Sequence, residues 1–336
     1  MSFPITINLG RATSIAAIAT IAMASFAANA SAQSFHPTAP VKLICDSAPG
    51  SANDVTARVL AERLGAIWNQ QVVVVDAPGA GGAIAARMAS TSPADGYTLF
   101  MPVTSEYYAL AGAPDVAPNL PIVMERDFKS VGFVNSQPLF MGVSPKARFK
   151  TIAEMLALAK QKPGSISFAT TGRGRLTHLA MELLQAKTNT KFEMVSYNGG
   201  AAQAMSDLTS GNVEMVLEAY AGLAPAFRGG LINGFGVTSL KRSPAFPDIP
   251  AVSETIPGFD VLAWGVLVAP PKTPDDIVAK INADLKIAQA DPGLNEKFAA
   301  NGGETHYMTP AELTVFTLSE QAKMLPILEK AMKPAQ

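Results

Sequence analysis

The chain has 336 residues, 48% of them hydrophobic, with 26 Lys+Arg against 27 Asp+Glu. That balance contains no basic run to follow a phosphate backbone and no polybasic patch for a membrane surface, which argues against a nucleic-acid partner. A single cysteine excludes an intramolecular disulfide, so the fold must be held by its core, and a chain of this length can bury one or two.

Residues 1–32 read as a secretory leader. Arg11 precedes an apolar run, Ile15 to Ala28, diluted only by Thr20 and Ser25. Ala28-Asn29-Ala30 and Ala30-Ser31-Ala32 then offer two overlapping small-x-small cleavage sites. The run is short for a span, which needs about 20 residues. Cleavage after Ala30 or Ala32 would leave the mature chain in the periplasm. Cys45 lies well past the run, so it is not a lipid-anchor cysteine; inside "VKLIC" it reads as a small buried apolar residue.

"VKLICDS" (41–47) reads as a buried strand. "SANDVTARVLAERLGA" (51–66) reads as a helix with Asn53 or Asp54 as N-cap and Val55, Val59 and Leu60 on its apolar side. "QVVVVDA" (71–77) suits a strand covered on both faces. "PGAGGAIAARMAS" is a glycine turn entering a second helix, and "GYTLFMPV" is a third strand. A second series follows: the strand "PLFMGVS" (138–144), a helix over 151–164 opened by the Thr151/Glu154 capping box, the strand "ISFATT", and a helix starting near Leu176. "FEMVSY" (192–197), a helix over 201–211, "VEMVLEA" (213–219) and "INGFGVTS" (232–239) complete it. A last strand within 259–274 leads to amphipathic helices over 274–290 and 310–331, which have no strands of their own. The alternation predicts an α/β chain in two lobes, each a mainly parallel sheet flanked by helices. Lobe 1 takes 38–138, lobe 2 takes 139–260, and 261–336 return to lobe 1.

Familiar catalytic signatures are missing. There is no G-x-S-x-G elbow, no H-E-x-x-H and no G-x-x-x-x-G-K-[ST]. "PGAGGAIA" (78–85) lacks the third glycine of a dinucleotide fingerprint and reads as a tight turn. No cofactor or metal is expected. What remains are polar glycine loops between strands and helices: "SAPGSAND" (47–54), "TTGRGRLT" (170–177) and "SYNGGAAQ" (196–203). Each could be plain turn geometry. Converging on one cleft beyond the strands' carboxyl ends, they would offer helix-start amides to a carboxylate or phosphate without any catalytic group. Arg173 and Arg175 could add a bidentate grip. His178, Tyr197 and Trp264 fit either the core or a pocket wall.

Six stretches in this order carry a resemblance. They are "VKLICDSAPGSANDVTARVLAERLG", "QVVVVDAPGAGGAIAARMASTSPADGYTLF", "TTGRGRLTHLAMEL", "SYNGGAAQAMSDLTSGNVEMV", "GVTSLKRSPAFPDIPAVSE" and "WGVLVAPPKTPDDIVAKIN". From about Pro40 to Ala331 the chain resembles the periplasmic solute-binding proteins of tripartite tricarboxylate transporters, the Bug receptors. The resemblance implies a two-lobed Venus-flytrap fold of the periplasmic-binding-protein kind, with a carboxylate held between lobes by backbone amides, small hydroxyls and ordered waters. Carried over, the first loop is Pro49, Gly50, Ser51, Ala52, Asn53 and Asp54. The second is Thr171, Gly172, Arg173, Gly174, Arg175, Leu176, Thr177 and His178. Tyr197 and Gly199 match a tyrosine-x-glycine turn.

The chain departs from the family pattern in the first loop, where Ser51, Ala52 and Asn53 replace two glycines and a threonine. Arg175 and Leu176 stand where serine and proline are usual. "VTSEYYAL" (103–110), with Ser105, Tyr107 and Tyr108, replaces a glycine-and-threonine segment, and Glu218-Ala219 replaces an Asp-Asn pair. An arginine and two tyrosines suggest a bulky anion, an extended or aromatic dicarboxylate such as a phthalate isomer, with Arg175 on one carboxylate and a tyrosine on the ring. The expected role is a monomeric receptor that hands its ligand to the membrane subunits of a transporter, closing on hinge strands near 138–144 and 260–268. The other classes are a periplasmic sensor of the same fold, and a hydrolase or isomerase using Asp54, Glu218 or His178.

Overall fold

The apolar run Val41–Cys45 forms strand β1, and the four valines of Val72–Asp76 form β2. The computed structural model describes residues 35–110, 122–170, 172–197 and 201–332. The leader expected over 1–32 lies outside them, as do Thr171 and Gly199. β1 is paired in parallel with β2, from Val41 opposite Val72 to Cys45 opposite Asp76. Its other edge pairs in parallel with β3, Thr98–Met101. The first connection is helix α1, Ala52–Trp68.

α1 begins earlier than its sequence suggests. Ser51 is the N-cap, and its Oγ accepts from the Asp54 amide at 3.2 Å. Asn53 and Asp54, the expected caps, serve the loop instead. Asn53 Nδ2 lies 3.2 Å from each of Cys45 Sγ, Asp46 Oδ1 and the Met101 carbonyl. Asp54 accepts from the Gly50 amide at 2.7 Å and pairs with Arg58 at 2.6 Å. The start fixes the buried face as Ala57, Leu60, Ala61, Leu64 and Trp68, while Val55 points outward at 41% exposed. Asn69 ends the helix in the left-handed conformation.

A 3-10 turn, Ala80–Gly82, leads into α2, Ala83–Ser90. Gly82 is required twice over. Its φ is +95°, and a Cβ there would sit 2.0 Å from Glu106 Cδ. Two short helices follow that no strong periodicity announces: α3, Thr104–Ala109, and α4, Met124–Asp127.

β4 runs over fifteen residues, Lys129–Val143, starting well before the strand expected at 138–144. Its first part pairs antiparallel with the late strand β9, Leu262–Ala269, from Lys129 opposite Ala269 to Pro138 opposite Leu262. Its second part lies between two other strands. These are β7, Met215–Ala219, and β8, Asn233–Val237, both antiparallel to it. β7 continues in parallel to β5, Ser167–Thr170, and β6, Glu193–Ser196. The connections are α5 (Ile152–Gln161), α6 (Leu176–Thr188), α7 (Ala201–Ser210) and α8 (Tyr220–Arg228). Among the described residues the order is β2-β1-β3-β9-β4-β7-β5-β6, with β8 also on β4. Two parallel triplets are thus joined by antiparallel strands, giving a mixed sheet.

β9 pairs with β3 at Phe100 opposite Val268, so the chain's late segment returns to the first strands. Helices α9 (Asp275–Gln289), α10 (Pro292–Ala299) and α11 (Pro310–Met332) follow it. α9 and α11 pack on β4, and α9 and α10 on α1. Trp68 Nε1 donates to buried Asp284 at 2.7 Å, and Lys280 pairs with the same carboxylate at 2.6 Å. Thr238 ties the crossing points together. Its Oγ1 accepts from the Leu139 amide at 2.8 Å and donates to the Val261 carbonyl at 2.5 Å.

Two outcomes follow from this packing. Leu64→Ala, at a fully buried site, should cost about 2–5 kcal/mol in denaturant unfolding, and Val55→Ala about 0.5 kcal/mol or less; equal costs would contradict the observed face of α1. Cys45 is fully buried, and burial pushes its thiol up to about 12. Alkylation of the native protein should therefore be absent until denaturant is added.

Candidate ligand site

Four strands hand the chain to a helix at their carboxyl ends, and those helix starts surround one cavity of about 410 Å³. Gly50, Ser51, Ala52 and Asn53 bring the start of α1. Val103, Thr104 and Ser105 bring that of α3. Arg175, Leu176 and Thr177 bring that of α6, and Ala219, Ala221 and Gly222 that of α8. First-turn amides have no partner inside their own helix, and the helix dipole adds positive potential there. The remaining wall comes from the crossing strands: Asn135, Gln137 and Leu139 on β4, and Ala263, Trp264 and Gly265 on β9.

The loops are held from behind. Asp46 Oδ2 accepts from the Val103 amide at 3.0 Å, and its Oδ1 accepts from Asn53 at 3.2 Å, so one carboxylate joins the start of α1 to the turn after β3. Thr104 Oγ1 donates to the Trp264 carbonyl and accepts from the Trp264 amide, both at 2.8 Å, fixing α3 to β9. Thr177 Oγ1 lies 3.2 Å from Thr170 Oγ1, which also takes the Gly172 amide. His178 Nδ1 accepts from the Gly174 amide at 3.0 Å, and its Nε2 stands 3.6 Å from Glu182.

Among the described lining residues two side chains are ionisable, Arg175 and Glu218. Arg175 is exposed and makes no hydrogen bond or ion pair to another described side chain. Glu218 Oε1 accepts from its neighbour Ala219's amide at 2.9 Å. Burial raises the Glu218 carboxyl above its ordinary range, with that amide and Arg175 opposing. Beneath the wall, Glu106 is 2% exposed and neither oxygen has a hydrogen-bond partner among the described residues. Burial pushes its carboxyl well up; neighbouring Asp46 adds to this and Arg175 opposes it.

Of the residues singled out in the sequence, Gly50, Ser51, Asn53, Ser105, Arg175, Thr177, Glu218 and Trp264 line the cavity. Seven others do not. Pro49 is exposed and is not part of the lining. Asp54 is engaged with Gly50 and Arg58. Gly172, Gly174 and His178 form the internal frame of the second loop. Arg173 donates instead to the Ala331 carbonyl of α11 at 2.8 Å. Tyr197 donates to Asp207 at 2.8 Å, and burial lifts its phenol to about 12. Thr171 and Gly199 lie outside the described residues.

The tyrosines expected to cover a ligand ring are also elsewhere. Tyr107 and Tyr108 are each 1% exposed, donating to Glu125 at 3.1 Å and to Glu320 at 3.3 Å. Both rings meet Trp264 edge-on, at 5.3 and 5.7 Å. The start of α3 points polar Thr104 and Ser105 at the cavity and buries the residues after them. Sequence reading missed Ser47, Thr56, Thr104, Asn135 and Gln137. Asn135 and Gln137 did leave a signal: two amides at alternate positions in one strand share one face. Among the described residues no group of three His, Cys, Asp or Glu gathers to hold a metal.

Comparison with known proteins agrees with this architecture. The sequence model of the tripartite tricarboxylate transporter family receptor matches residues 56–332. A protein of the tcbD-tcbE intergenic region of Pseudomonas sp. strain P51 is 32% identical over 315 residues, covering 93% of this chain and 92% of that protein. The structure of R. palustris Rpa4515 with adipate superposes with a TM-score of 0.78 at 26% identity, covering 88% of this chain and 98% of the other. That of the periplasmic binding protein BugD gives 0.73 at 26%, with the same coverage. The chain therefore belongs to the tripartite tricarboxylate transporter receptor family of periplasmic solute-binding proteins, and it works as a binding protein, not an enzyme.

Proposed function

We propose that the cavity captures a carboxylate, with Arg175 and the starts of α1 and α6 as its grip. The observation that carries this is the exposed, unpaired guanidinium at a convergence of helix starts. Amides and a guanidinium recognise a carboxylate without chemistry on it. The adipate held by the R. palustris relative supports the same class. An aromatic diacid has weaker support, because Tyr107 and Tyr108 leave Trp264 as the one aromatic residue in the described lining.

The lobes would be 38–138 with 261–336, and 139–260, hinged where β4 passes from β9 to β7 and where Thr238 joins Leu139 and Val261. Closure of a monomer on its ligand would then create the surface read by the membrane subunits of the transporter. The leader, cleaved after Ala30 or Ala32, delivers the chain to the periplasm.

A thermal-shift screen of the purified protein against short diacids, adipate, citrate, amino acids and aromatic acids tests the reading. A ligand at 100 times its Kd should add about 2.7 kcal/mol; no shift with any acid, from protein shown to be folded and ligand-free, would remove it. Arg175→Ala should weaken the responding acid by about 1.5–3 kcal/mol in calorimetry while leaving the melting temperature of the free protein unchanged. His178→Ala should cost about 1 kcal/mol of affinity through the loosened Gly174 amide, although His178 does not line the cavity.

A further inference from the structure

We propose that Glu218 makes this receptor select carboxylates whose far end is a cation or strong hydrogen-bond donor, an ammonium above all, over those ending in a second carboxylate. The inference rests on the carboxylate reading of the same cavity and goes on to name the other half of the ligand.

The described lining carries one positive and one negative side chain, Arg175 and Glu218. They are near enough to influence each other, yet no ion pair joins them among the described residues. Each therefore keeps its capacity for a ligand. Glu218 Oε1 is held by the Ala219 amide, and its Oε2 has no partner among the described residues. That hydrogen bond also sets the carboxylate over the start of α8, for which Ala219 is the N-cap. Of the four helix starts around the cavity, the one at α8 is thus already covered by an acid, and those of α1 and α6 stand with Arg175. The cavity has an anion-seeking side and a side that is not.

The fold makes room for this carboxylate. Gly222 has an ordinary backbone conformation, but a Cβ there would approach Glu218 Cγ to 2.9 Å. Burial disfavours the Glu218 charge, and an incoming ammonium would restore it, so the side chain gains from such a ligand. A second carboxylate would instead face a like charge in a partly desolvated site, or require Glu218 to take up a proton. The amides of Asn135 and Gln137 on the same wall can serve either end and do not discriminate.

The test is calorimetry on the purified, dialysed protein with pairs of equal methylene count: succinate and β-alanine, glutarate and 4-aminobutyrate, adipate and 5-aminopentanoate. In at least one pair the amino acid should bind tenfold or more tightly than its diacid. Glu218→Gln should shrink that preference at least tenfold, and Glu218→Asp should keep its sign. Circular dichroism checks that each variant is folded. If the diacid binds more tightly to the wild type, or if the ratio is unchanged in Glu218→Gln, the inference is overturned. Diacid binding that depends on Arg175 but shows no preference would overturn it while the carboxylate reading stands. Failure of every carboxylate to bind would remove both.

Discussion

A strand that feeds a helix delivers that helix's amides at the strand's carboxyl end, and everything in this site depends on four such deliveries. β1, β3, β5 and β7 each end at the cavity, and α1, α3, α6 and α8 each begin there. β1 and β3 run side by side in parallel, as do β5 and β7, and the two pairs run in opposite directions, so their carboxyl ends meet the cavity from two sides. Antiparallel β4 and β9 bring the two triplets to a common wall. The positive potential of the site is therefore a consequence of topology before any charged side chain is considered.

Side chains then adjust that potential. Arg175 adds to it on the α6 side, and Glu218 subtracts from it on the α8 side. Asp46 and Glu106 lie behind the wall as a pair of acids. Asp46 holds the Val103 amide and Asn53, while Glu106 is packed against Gly82 and is influenced by Asp46 beside it. Burial disfavours a charged carboxyl, and it pushes that of Glu106, on the inner side of α3, well up, with Asp46 adding to the shift. The charge contest in the cavity is left to Arg175 and Glu218.

Most strands were legible because β-branched runs such as "QVVVVDA" state their period plainly. The part of β4 before Pro138 was not, since "KSVGFVNSQ" mixes glycine and polar residues. Two of those polar residues, Asn135 and Gln137, line the cavity, so part of what hid the strand is what places it at the site. The loops at 47–54 and 170–177 were readable from glycine and helix-cap chemistry. What sequence could not give was orientation. Arg173 and Arg175 are two residues apart and identical in type, yet one binds α11 and the other lines the cavity. Tyr107 and Tyr108 follow Ser105 directly and are turned into the core by the short helix α3.

The contrast between the two arginines shows how the second loop is set. Arg173 reaches the Ala331 carbonyl at the end of α11, and a Cβ at Gly174 would stand 3.2 Å from Met332 Sδ. The end of α11 is therefore a floor under residues 173 and 174. On the other side, His178 receives the Gly174 amide and Thr177 meets Thr170. Fastened before and after, the chain presents Arg175 to the cavity as the N-cap of α6. A helix attached to the late, returning segment thus fixes the position of the one cation in the described lining. Shifting α11 relative to α6 would break the contact of Arg173 with Ala331 and so loosen the loop that carries that guanidinium.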